Sequence, residues 1–111
     1  MTEDAAMIVI YTTLPSEEDA QKLGSTLVEE KLAACVNILP GMVSIYRWQG
    51  AVENGNEAVM LVKTRKSLKV QVMREISARH PYTVPAILAF EPSDVAASYL
   101  EWLCNQTAAS R

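Results

Sequence analysis

The stretch from Leu32 to Gly50 constrains this chain more than any other. Cys35 to Leu39 is mostly apolar with a β-branched centre, and Val43 to Trp48 is richer still in Val, Ile and aromatic residues, the types that pack on a pleated surface. The whole run therefore reads as one long extended element. Pro40 removes a ladder donor and Gly41 relaxes the backbone, so a bend or bulge is expected between two strand halves.

The elements on either side follow from periodicity and punctuation. Met7 to Tyr11 is a continuous apolar run of strand length. Ser16 then offers a helix cap, Glu17, Glu18 and Asp19 suit a first turn, and Ala20, Leu23, Leu27 and Val28 fall at helical spacing, which predicts a helix to about Lys31. Past the long strand, Asn54 and Gly55 supply a type I′ turn pair, and Glu57 to Arg65 reads as the returning antiparallel strand. Ser67 is the expected cap of a second helix with the stripe Leu68, Val72, Met73 and Ile76, ending before Pro81. Ala86 to Phe90 reads as a last strand, and Ser93 and Asp94 as the start of a terminal helix carrying Val95, Tyr99, Trp102 and Leu103 on one face. Residues 1–6 and 105–111 read as frayed termini of a single domain spanning 1–111.

Strand, helix, strand, strand, helix, strand is the order of an α+β, ferredoxin-like split βαβ sandwich, here with one extra C-terminal helix. Its two main helices share one face of the sheet. The strands at Met7 to Ile10, Val59 to Val62 and Ala86 to Phe90 are nevertheless apolar at both parities, so the second face also needs cover. Further copies of the chain are the simplest cover, and an oligomer is expected.

A net charge of −3 and a pI near 5.1 argue against a nucleic-acid surface. No run is long and apolar enough to suggest a membrane span. The N-terminus carries Glu3 and Asp4 and has no basic region ahead of an apolar run, so it does not read as a secretory signal. The two cysteines, Cys35 and Cys104, form no close pair, which suits a reducing compartment and a cytoplasmic location.

Cys35 and His80 carry the ligand types that copper and zinc prefer. Two ligands make no closed shell, so a site would have to borrow other groups or be assembled between subunits. Each has a plainer reading, Cys35 as a small core residue and His80 as a cation at a helix C-terminus. Glu57, Val59, Leu61, Lys63 and Arg65 share one strand parity, and with Tyr46, Trp48 and Tyr82 they form the candidate lining of an intersubunit cleft for a small anion. No phosphate-cradling loop, nucleophile elbow or second histidine points to catalysis, so no enzyme is expected.

Lys31 to Ile38, then Ile45, Tyr46, Trp48 and Gly50, then Lys63 and Thr64, then His80, Pro81, Tyr82 and Pro85 resemble, in order and spacing, the CutA family of divalent-cation tolerance proteins. The resemblance spans about Met7 to Leu103. It implies a homotrimer acting in tolerance or response to copper and other divalent metals, with no obligatory cofactor but copper or another divalent cation as a ligand at His80 and Cys35. It also implies acids in many relatives where this chain has Thr83 and Ala86, and in some a cysteine where it has Tyr11. The competing readings are a trimeric sensor resembling the PII signalling proteins, which would bind an anion in a lateral cleft, and an interaction scaffold.

Overall fold

Pairing register sorts the strand residues into two faces. The computed structural model describes residues 6–108, in the order β1 (Met7–Leu14), α1 (Glu17–Glu29), β2 (Cys35–Trp48), β3 (Ala51–Arg65), a 3₁₀ turn (Lys66–Leu68), α2 (Lys69–Arg79), β4 (Ile87–Phe90) and α3 (Ala97–Gln106). The four strands form one antiparallel sheet in the order β2-β3-β1-β4, so β3 splits the β1-α1-β2 unit, as the element order predicts. Ile8, Ile10 and Leu14 of β1 and Ala58, Met60 and Val62 of β3 meet Ala20, Leu23 and Leu27 of α1 and Val72 and Ile76 of α2 in the main core. Each large side chain buried there contributes about 1.5–3 kcal/mol.

The opposite face is also apolar, and a second helix layer covers only part of it. There α3 packs Leu103, Tyr99 and Leu100 against Met7, Val9 and Ala34. Phe90 lies opposite Val9 at the edge of this contact, and farther along Tyr11 lies opposite both Leu61 and Leu88, and Leu39 opposite Val59. Leu88, Phe90 and Leu39 remain 49%, 55% and 51% exposed.

The long strand bulges where Pro40 and Gly41 predict it. Leu39 faces Val59 and Met42 faces Glu57, so β2 fits one extra residue into the ladder, with Gly41 at φ +73°. The β1–β3 ladder ends at Leu14 opposite Ala58, yet β2 and β3 continue as a two-stranded arm to Trp48 opposite Ala51. The arm contributes to a long molecule, 48 × 27 × 23 Å.

Several sequence expectations are corrected. The hairpin turn is Gln49–Gly50, with both residues at positive φ (49° and 83°), and Asn54–Gly55 lies inside β3 opposite Ile45 and Ser44. A turn at Asn54–Gly55 would slide Cys35 to Leu39 past the end of β3 into residues that form α2, so the long ladder outweighs the better turn pair. Ser67 sits in the 3₁₀ turn, and α2 begins at Lys69 without a side-chain cap. Helix α3 begins at Ala97, after the expected Ser93–Asp94 start, leaving Val95 on the connection that packs against the second core. The chain does not fray directly after Cys104. The helix runs to Gln106, Thr107 is buried, and the Ala108 N–H donates to the Lys31 carbonyl. Residues 1–5 and 109–111, which complete the two expected frayed ends, lie outside the described residues.

Candidate functional site

Polar side chains converge at the root of the arm, where β1 ends and β2 bulges. Glu57, opposite Met42, has the strand parity of the second face, and its carboxylate accepts from the Tyr82 hydroxyl at 2.8 Å. Burial pushes the Glu57 carboxyl up, but hydrogen bonds from Ser44, Tyr82 and Thr13 outweigh it and hold the carboxyl below its usual range. Burial and the Glu57 carboxylate both raise the Tyr82 phenol well above the usual tyrosine value, and Tyr46 and Asp19 add to the shift. The pair is therefore an ionised carboxylate held by a neutral phenol.

His80 supports this pair from beneath. Its backbone is extended just after the last turn of α2, which tucks the ring against the end of β1, and the residue is only 9% exposed. Nε2 lies 2.7 Å from the Thr13 carbonyl, Nδ1 accepts from the Tyr82 N–H at 3.2 Å, and the His80 and Tyr82 ring centroids are 4.9 Å apart. A carbonyl can only accept, so Nε2 carries the proton and the ring is neutral. The plainer reading, a cation on the helix dipole, is thus replaced by a buried neutral imidazole.

The structure separates other residues that the sequence grouped. Lys63 and Arg65 lie beneath α3, with Lys63 Nζ 5.7 Å from the Tyr99 ring centroid. Arg65 Nε donates to Thr107 Oγ1 at 2.8 Å, and its guanidinium also donates to the Cys104 carbonyl. Glu57 and Tyr82 sit toward the other end of the sheet, and Tyr46 and Trp48 lie exposed on the arm. One chain therefore does not build the candidate anion cleft.

Cys35 and His80 are parted in the same way. Cys35 is half-buried opposite Lys63, whereas His80 touches Thr13, which stands opposite Val59. Four residues of β3 separate those two rows, about 13 Å at the rise of a strand. Among the described residues no three His, Cys, Asp or Glu side chains come together as a metal-holding group. The donors of a single chain, among its described residues, do not fit a resident copper or zinc ion. Thr13 and Ser44 escaped the sequence reading because only the ladder register brings their hydroxyls to Glu57.

Comparison with known proteins places these features in context. A family profile described as "CutA1 divalent ion tolerance protein" matches residues 8–106. The divalent-cation tolerance protein CutA of Thermus thermophilus is 48% identical over 99 residues, covering 89% of this chain and 96% of that protein. The chloroplastic CutA protein of Arabidopsis thaliana is 44% identical over 100 residues, covering 90% of this chain, which spans only 55% of that relative's length. Among solved structures, CutA1 from Oryza sativa superposes with a TM-score of 0.92 at 39% identity, covering 98% of this chain and 100% of that one. The Thermus thermophilus divalent cation tolerance protein gives 0.87 at 46% identity, covering 92% and 99%.

Proposed function

Because the chain belongs to the CutA1 divalent ion tolerance family, we propose that it works as a non-enzymatic cytoplasmic homotrimer in the tolerance of divalent cations, copper among them. The divalent ion is what the cell responds to. Any ion the protein holds is met by ligands from more than one subunit, since one chain lacks a ligand set among its described residues.

One observation carries the assembly: on the second face Leu39, Leu88 and Phe90 stay exposed in the single chain beside half-buried Tyr11 and Leu61, and none of the five packs in the α3 cluster. Surface of this kind is normally covered. Light scattering on the purified protein is expected to report three chains at micromolar concentration. A strain lacking its own member of the family is expected to regain growth at raised copper when supplied with this chain. A monodisperse monomer would overturn the assembly, and unchanged copper sensitivity would overturn the tolerance role.

Lys63 supports a second reading, an anion sensor with a cleft between subunits. Its ammonium meets the Tyr99 ring and, among the described residues, forms no ion pair. Heat on titrating inorganic phosphate into wild type, lost in Lys63→Ala, is the outcome expected of that reading.

A further inference from the structure

We infer that His80 is a positioning residue, its imidazole fully committed inside the fold, and that it seats the Tyr82 hydroxyl on Glu57 at the root of the arm. The cation response of this chain does not run through His80. This departs from the expectation that a divalent cation is held at His80, and gives the ring a task inside the fold instead.

Both ring nitrogens are spoken for. Nε2 donates its proton to the Thr13 carbonyl at 2.7 Å, and the Nδ1 lone pair receives the Tyr82 N–H at 3.2 Å. A metal at Nδ1 would have to displace that amide. One at Nε2 would have to strip a buried proton and displace the Thr13 carbonyl. The first route leaves the part-buried Tyr82 N–H without its acceptor and the second leaves the buried Thr13 carbonyl without its donor, each an unfavourable loss. No other His, Cys, Asp or Glu joins the ring in a three-member ligand group among the described residues to offset it.

The same two bonds give the ring a different task. Nε2 ties it to the last residues of β1, and Nδ1 fixes the backbone of Tyr82 only two residues away. Between them Pro81 restricts the chain further, because its ring locks φ. Tyr82 leaves this rigid step with its hydroxyl 2.8 Å from Glu57, on the strand pair that becomes the arm. His80 thus links the end of α2, the end of β1 and the arm through one neutral tautomer.

Two measurements test the inference. Ring ¹⁵N spectra at neutral pH are expected to show the Nε2-protonated form and to stay unchanged in excess Zn²⁺. Zn²⁺-dependent movement of those signals would overturn the exclusion of His80 from cation binding. The second follows Tyr82 ionisation with ¹³C-labelled tyrosine. In His80→Ala the Tyr82 midpoint is expected to fall toward that of free tyrosine by about one pH unit or more, because the phenol leaves Glu57. His80→Gln, whose amide keeps a donor for the Thr13 carbonyl but has no acceptor fixed at Nδ1, serves where His80→Ala folds poorly, and the same fall is expected. Val72→Ala, a cavity in the core under α2, is the control for general destabilisation and should leave the Tyr82 midpoint unmoved. A Tyr82 midpoint equal to wild type in both His80 variants, or a fall of the same size in Val72→Ala, would overturn the positioning role.

Discussion

Glu57 shows how one carboxylate can couple stability to pH. Hydrogen bonds from Ser44, Tyr82 and Thr13 lower its folded value below the 4.5 of a free side chain, despite an opposing push from burial. A depressed carboxyl stabilises the fold fully above its unfolded value, and the contribution is lost as pH falls through the folded value. The Glu57→Gln variant is therefore expected to be less stable than wild type at pH 7, with the gap narrowing below about pH 4.5. Urea midpoints at both pH values check it, and a gap that widens in acid would contradict the assignment. The parity of Glu57 with Lys63 and Arg65 was readable from the strand pattern. Its grouping with Tyr82 was also proposed there, but the donors Ser44 and Thr13 were not readable, because they come from two other strands.

At the scale of elements, α1 and the hairpin turn carry opposite lessons about local propensity. Gly24 lies in α1, where Ala would gain about 1 kcal/mol of helix propensity. A Cβ there would come within 2.9 Å of Val36 Cγ1 on β2 and 3.6 Å of Met60 Sδ. Val36 packs against the main core and is stiff at χ1, so it cannot swing aside cheaply. Gly24→Ala is expected to destabilise the protein by about 1 kcal/mol in chemical denaturation, since overpacking outweighs propensity. Gln49 is the reverse case. It holds φ +49° in a two-residue turn before Gly50, a conformation that asparagine tolerates better. Gln49→Asn is expected to add about 0.5 kcal/mol by the same assay, and a loss would mean that the Gln49 side chain contributes something at the arm's tip.

At the scale of the molecule, the exposed row on the second face sets the behaviour. Leu88→Asp places a charge on β4 opposite Tyr11, within the apolar surface proposed to meet other subunits. It is expected to turn the assembly into monomer or unfolded chain by light scattering, whereas a charge at exposed Val70 on α2 should leave it intact. Equal masses for wild type and Leu88→Asp would remove that surface from the interface. The sequence by itself determined the kinds and order of the elements, the bulge at Pro40–Gly41 and the double-sided apolar strands, because these depend on local periodicity and on the backbone limits of proline and glycine. Only the tertiary structure decided that the hairpin turns at Gln49–Gly50, that Lys63 and Arg65 lie apart from Glu57 and Tyr82, and that His80 faces inward with both nitrogens engaged. Those outcomes depend on register, which is set by the summed pairing of whole strands and can override the preference of any two residues along them.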